Sequence, residues 1–435
     1  MTEAVLVDLL HGCRPGRAAE EQRGSGRHFF LLCGESQPDG PGLEGCLRGS
    51  GGSVRLLSGG STAERLYRFK QAADRLELSS VRVLTSPRGR ELLQRYQQLL
   101  FTDLYRFDYR VQPESDLTCP SGAGSAHRAS PGEGAGPERQ GAGSVQEEVQ
   151  RFVQQLPALR GQISVLKSSL ISDCFGHGFS TRTGGVSDVP TLSSMNLFSS
   201  GRRRDPVAVV MENRRRLAVH AGFHPRPLRL LKVNHARDVW VLGKEEPERY
   251  DAMVTDQTGV VLAAPGADCM PILFTDPVLK VIGVAHAGWK GTLMGVAMET
   301  VNAMVTAFGC RASDVEVAVG PSVGVCCFTL DRDEARDFSR IHPDCVPDPE
   351  SARPHVDIRL ANRLLLQEGG VLPEHIHDNA TTGRSSVTLC TSCHPQLFFS
   401  HVRDGVNFGT QVGFLWIREA AGRSSAELES EPSSL

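Results

Sequence analysis

The chain has 435 residues, 40% of them hydrophobic, 22% charged and 6% aromatic. These values exclude wholesale disorder, and the length suits two domains at roughly 100–200 residues each. A formal net charge of −3 excludes a protein that works through global basicity on nucleic acid or membranes.

The start, MTEAVLVDLLHGC, carries Glu3 and Asp8 where an export signal would be positive, and its apolar stretch is short. No run of 18 apolar residues occurs, so no spanning helix is expected. The chain therefore reads as cytoplasmic. The final Ser-Ser-Leu lacks the basic middle residue of the peroxisomal Ser-Lys-Leu address and points to that compartment only weakly. In a reducing compartment the twelve cysteines are core residues, ligands or nucleophiles rather than a disulfide scaffold.

Residues 1–112 read as a small α/β domain of unassigned role. Apolar runs at 4–10, 28–33, 53–57 and 80–84 predict strands, and 62–76 and 88–101 predict helices started by Thr62 and Ser86. Cys13, Cys33 and Cys46 read as small buried residues. The stretch 113–145 follows; its residues 113–144 hold seven Gly and four Pro, so nothing offsets the entropy of ordering and a flexible linker is predicted. Residues 146–420 form the larger unit, and 421–435 a polar tail.

Within the larger unit, Arg202–Arg204 and Arg214–Arg216 flank or lie on a helix predicted at 206–219. They carry no interleaved aromatics, so a solvated face is expected and nucleic-acid binding is not. His235 lies between the apolar runs LRLLKV and VWVL. TGVVLAA and CMPILF (269–274) read as strands around a Pro265-Gly266 turn, and VIGVAHA (281–287) as a third. Gly288 to Gly291 breaks that pattern, and a helix is predicted from Thr292 to a Gly309 cap.

His235, Cys269 and His286 thus fall at strand edges. Two imidazoles and a thiolate suit one Zn²⁺ with an open fourth position, the catalytic pattern, in which the metal lowers the pKa of a bound water. The spacing matches no simple zinc motif, and His235 alone also fits a hydrogen-bonded core or surface role. Asp268, beside Cys269, reads either as a general acid/base and orienting group or as a turn cap. Gly288, Gly291 and Lys290 at a helix start make an anion site for phosphate; the other reading is a permissive turn with a solvated lysine. Lysine occurs at only six positions, one of them 290.

The blocks HGFSTRTGGVS (177–187), VNHA (233–236), GADCMPILF (266–274), GVAHAGWKGT (283–292), GPSVGVCCF (320–328) and FFSHVRDG (398–405) occur in that order. Together they resemble the laccase-domain family, also called the multicopper polyphenol oxidase or YlmD/YfiH family. The resemblance implies an α+β chain: a C-terminal β-sandwich of mixed sheets flanked by helices, preceded by the smaller α/β domain. It implies a purine nucleoside enzyme. The reactions would be phosphorolysis of adenosine, inosine, guanosine and 5′-methylthioadenosine to base plus pentose 1-phosphate, and deamination of adenosine. One zinc ion would sit on His235, Cys269 and His286, with phosphate as co-substrate near Arg182 and Lys290. The chain departs from the family at Val233-Asn234-His235, where Gln-Val-His is common, and at Gly324-Val325-Cys326-Cys327, where Gly-Pro-Cys-Cys is common.

Copper oxidation fits poorly, because a trinuclear centre needs several His-x-His pairs and only His375-x-His377 is present. Cys390-Thr-Ser-Cys393-His394 matches a c-type haem motif without an export route. A second zinc site there would need two more ligands, for which Cys326 and Cys327 are merely available, so core or turn cysteines are expected. Two rivals use the same residues differently: a metal-free cysteine hydrolase or deamidase with Cys269 as nucleophile, and a non-enzymatic scaffold binding a protein partner through its N-terminal domain.

Overall fold

The computed structural model describes residues 3–11, 27–34, 53–111, 142–381 and 383–419. Most of the predicted linker, the polar tail, Cys13 and Cys46 lie outside the described residues. The chain divides into two compact units, Met1–Pro157 with Ser199–Glu212, and Ala158–Phe198 with Asn213–Leu435.

The first unit is built on a parallel sheet of β1 (Glu3–Asp8), β2 (Arg27–Leu32), β3 (Ser53–Leu57), β4 (Ser80–Thr85) and β5 (Arg106–Val111) in the order β3-β2-β1-β4-β5. Strands β1, β2 and β4 are mostly buried, as expected where crossovers cover both faces. Helices α1 (Thr62–Arg75) and α2 (Pro87–Leu100) start at Ser61 and Ser86, whose hydroxyls accept from the N–H groups of Glu64 and Gly89. The first cap is Ser61 rather than Thr62. Strand β5 escapes sequence reading because it alternates half-buried with exposed residues and carries Arg106, Asp108 and Arg110.

Helix α3 (Ala142–Gln155) belongs to this unit, which corrects the expected domain start at 146. Val145, Val149 and Val153 form its buried stripe. The Glu148 carboxylate accepts from Ala63 N–H at 2.9 Å and the Tyr96 hydroxyl at 2.6 Å. Segment 199–212 joins through Arg204, whose Nη1 lies 2.9 Å from Asp74 Oδ1. Lys70 Nζ, fully buried, lies 2.7 Å from Asp74 Oδ2, and the Tyr105 hydroxyl also donates to Asp74. The first arginine run is therefore no solvated face. In the other, Arg214 donates from Nε to the Leu197 carbonyl at 2.9 Å.

The second unit holds two mixed sheets. One has the order β15 (Ile376–His377), β14 (Glu316–Val319), β12 (Met270–Asp276), β13 (Val281–Ala287), β10 (Ala252–Thr255), β9 (Val239–Val241). The other runs β6 (Val165–Leu166), β7 (Phe175–Ser180), β16 (Gln411–Ile417), β11 (Val261–Gly266), β8 (Leu228–Leu230). Alternation along β12 explains the layering. Met270, Ile272 and Phe274 join a core with residues of α6 (Val296–Phe308), α7 (Arg332–Ile341) and α8 (Ile358–Glu368), whereas Leu273 joins one with Phe179, Leu262 and Leu415 of the other sheet. A third core sets Leu217 and Ala218 of α4 (Val207–Ala221) against Ala263, Phe414 and Trp416.

Two local expectations change. Pro265-Gly266 is not a turn but the end of β11, with Pro265 opposite Val412. The helix after Gly288 is broken: α5 (Trp289–Leu293) stops, and Gly295, left-handed at φ 80°, starts α6. Gly309 ends α6 at φ 77°. No described helix is long and apolar enough to cross a membrane.

Candidate metal and active site

Strand register assembles the site. The antiparallel pairing of Ala252 with Ala285 sets Asp251 beside His286, whose N–H donates to the Asp251 carbonyl at 2.7 Å. Pairing of Met270 with Ala287 brings Cys269, one residue before β12, to Gly288 across the ladder. His235 comes from the segment between β8 and β9 and holds a left-handed φ of 64°. Among the described residues, His235, Cys269 and His286 bring one donor atom each within 4.8 Å of one another.

Asp251 organises them, and the sequence reading missed it. Its carboxylate, fully buried, accepts the consecutive N–H groups of Asn234, His235 and Ala236 at 3.0, 3.0 and 2.9 Å. It also lies 2.8 Å from His286 Nδ1. Those bonds hold the strained turn that carries His235 and leave His286 Nε2 free as a ligand, the usual carboxylate–histidine support of a metal site. The one available signal was a charged residue opening a strand, AMVT, that is buried throughout.

Burial alone would push the Cys269 thiol up; charge and hydrogen bonding from His286 and His235 outweigh it and bring it down to about 6. Burial would likewise lower His286, but Cys269 and Asp251 raise it to about 9. The metal-free trio is thus a thiolate–imidazolium arrangement. The donor set fits zinc: soft sulfur, two imidazoles, and a buried carboxylate orienting one of them.

Gly288 and Gly291 serve this packing. A Cβ on Gly288 would lie 3.0 Å from Cys269 Sγ and 3.5 Å from His235 Cδ2; one on Gly291 would lie 2.9 Å from the Ala236 carbonyl oxygen. Lys290 is exposed, its Nζ 5.1 Å from the Trp289 ring centroid. With α5 only five residues long, the anion site expected at a full helix start loses most of its dipole.

Asp268, buried at φ 105°, accepts from the Thr391 hydroxyl and the Val402 N–H, both at 2.6 Å. Burial raises its carboxyl against those bonds. It ties loops together and is outside the ligand trio. Arg182 is corrected more strongly. Its Nε, Nη1 and Nη2 donate to the carbonyls of Ser193, Pro395 and Pro190 at 2.8, 2.9 and 3.2 Å, and its guanidinium lies over the Phe399 ring. Burial lowers it to about 10. In this structure Arg182 clamps three backbone carbonyls together.

The cysteines expected to be core or turn residues also differ: Cys326, Cys327, Cys390 and Cys393 form a second group of donor atoms within 4.8 Å.

Fold and site together define an α+β protein with a candidate metal centre at strand ends, where small-molecule sites collect. A family model described as multi-copper polyphenol oxidoreductase laccase matches residues 176–418, and the chain belongs to that family. It is 49% identical over 369 residues to purine nucleoside phosphorylase LACC1 of Mus musculus, covering 85% of this chain and 83% of that protein. It is 35% identical over 263 residues to purine nucleoside phosphorylase YlmD of Geobacillus stearothermophilus, covering 56% of this chain and 90% of that one. The solved structure of YlmD superposes with a TM-score of 0.50 at 32% identity, covering 58% of this chain and 94% of the other. Adenosine deaminase RL5, from an unknown prokaryotic organism, is 29% identical over 246 residues, 53% of this chain and 90% of that protein.

Proposed function

We propose that the chain is a purine nucleoside enzyme acting at His235, Cys269 and His286. Its reactions would be phosphorolysis of adenosine, inosine, guanosine and 5′-methylthioadenosine to base and pentose 1-phosphate, and deamination of adenosine to inosine. The observation that carries this is the Asp251-organised trio, read beside relatives named for both activities.

His235, Cys269 and His286 would hold one Zn²⁺, which when bound supplies Lewis acidity and an activated water. The protein's own part is orientation. Asp251 keeps the proton on His286 Nδ1 and fixes the 234–236 turn; Gly288 and Gly291 let the strand end close against Cys269 and Ala236. Asp268 positions Cys269 by anchoring its loop. Lys290 offers the one charge proposed for phosphate, and Arg182 has no part in it. Copper is not part of this reading.

The test is to incubate purified protein with adenosine, with and without phosphate, and resolve adenine from inosine. Phosphate-dependent adenine and phosphate-independent inosine are expected, both lost in Cys269→Ala; full activity in that variant would overturn the assignment. The thiolate–imidazolium pair favours one second reading, a metal-free cysteine hydrolase or deamidase. Activity that survives stripping of all metal, and is abolished by alkylation of Cys269, would favour it.

A further inference from the structure

Four cysteines from two loops meet in a group distinct from the trio. Cys326 and Cys327 lie on the turn after β14, and Cys390 and Cys393 on the segment that precedes α9 (His401–Asp404). Cys393 Sγ lies 3.6 Å from Cys326 Sγ and 3.4 Å from Cys327 Sγ, and all four sulfurs fall within 4.8 Å of one another. These spacings exceed a disulfide bond of about 2.05 Å. The 3.4 and 3.6 Å contacts lie just under the roughly 3.8 Å edge of a tetrahedron with metal–sulfur bonds of about 2.3 Å, and 4.8 Å bounds the remaining pairs.

The surroundings are arranged for thiolates. Gly324 N–H donates to Cys390 Sγ at 3.3 Å. The buried Arg359 guanidinium donates from Nε to the Ser322 hydroxyl at 2.9 Å and from Nη2 to the Leu389 carbonyl at 3.1 Å, beside Cys390 and Cys326. A Cβ on Gly324 would come 3.3 Å from Cys326 Sγ and 3.4 Å from Arg359 Nη1, so a side chain there would press on the cluster by a few tenths of an ångström.

We propose that Cys326, Cys327, Cys390 and Cys393 bind one Zn²⁺ as a structural tetrathiolate site that staples the 320–328 turn to the 389–394 segment. Binding would release the four thiol protons and leave a net charge of −2, offset by Arg359. No metal donor other than these cysteines is required, and the closed sulfur set marks a structural rather than a catalytic site. The stapled segment carries Thr391, whose hydroxyl donates to Asp268 beside Cys269. The staple would therefore brace the loop that holds the trio's sulfur.

The test starts from a full-length Cys269→Ser/His286→Ala variant, in which the trio is dismantled, so its result is independent of the proposed activity. Purified under reductant, it should retain one zinc per chain, with X-ray absorption showing four sulfur neighbours at about 2.3 Å. Adding Cys390→Ser and Cys393→Ser should remove that zinc. No retained zinc, or zinc ligated by nitrogen and oxygen, would overturn the proposal. Should the variants fail to fold, wild-type protein is titrated with Co²⁺. A full equivalent showing the intense visible bands of tetrathiolate cobalt supports the site; saturation without them, or disulfides joining 326/327 to 390/393 in reduced, metal-supplied protein, refutes it.

Discussion

Replacing Asp251 with asparagine separates a carboxylate that organises the centre from one that merely fills space. Oδ1 serves His235 N–H and His286 Nδ1, and Oδ2 serves the N–H groups of Asn234 and Ala236. An amide keeps only one acceptor oxygen, so one pair is lost and an NH₂ faces two donors. If the nitrogen takes the Oδ1 place, His286 must accept at Nδ1, which moves its proton to Nε2 and blocks the ligand atom. If it takes the Oδ2 place, the 234–236 turn loses its anchors. Two lost charge-assisted bonds at about 1.5–3 kcal/mol each give roughly 3–6 kcal/mol. That is a large part of the 5–15 kcal/mol typical of whole-protein stability. Metal affinity should fall about 10–100-fold, the usual effect of losing such a partner. Competition against a chromophoric chelator measures the affinity, and thermal unfolding of metal-free protein measures the stability. Native affinity together with an unchanged midpoint would refute the reasoning.

Other outcomes follow from packing and burial. Asp74→Ala leaves Lys70, fully buried, and Arg204 without their carboxylate, and should cost about 3–5 kcal/mol in urea unfolding of the first unit; a loss below 1 kcal/mol would contradict it. Gly291→Ala forces a Cβ to 2.9 Å from the Ala236 carbonyl oxygen and should cost about 1–3 kcal/mol, with weakened metal binding because that carbonyl adjoins His235. An alanine variant as stable as the parent and binding metal equally would show that the turn yields freely. Buried His177 accepts the Ser168 N–H at 3.1 Å, and burial lowers it to about 4 from an ordinary 6.5. The unfolded chain therefore takes up that proton first: its stabilisation is complete above pH 6.5 and fades as pH falls toward 4. At most about 3 kcal/mol disappears across that window. His177→Gln should flatten the acid limb of stability against pH; an identical limb would exclude His177 as its source.

The sequence by itself determined the alternation of strands and helices and the strand-end placement of Cys269 and His286, because hydrophobic period and glycine breaks are local signals; His235 instead sits in the bend between β8 and β9. The five-residue α5 already strains that logic: the apolar spacing runs through Gly295, and only its left-handed φ reveals the break. Tertiary structure decided the rest. Asp251 and His286 stand 35 positions apart, and Cys390 and Gly324 stand 66 apart, so no local pattern records either bond. The family resemblance marks Arg182 as an anion ligand; its donors instead go to carbonyls of 190, 193 and 395, which the chain brings together from both ends of the second unit. Helix α3 follows the same rule. The sequence reading did not name this helix, although its valines form a buried stripe; Tyr96 and Ala63, bonding to Glu148, determined which unit it joins. Periodicity fixes what an element is; hydrogen-bond partners distant in sequence fix what its side chains are for.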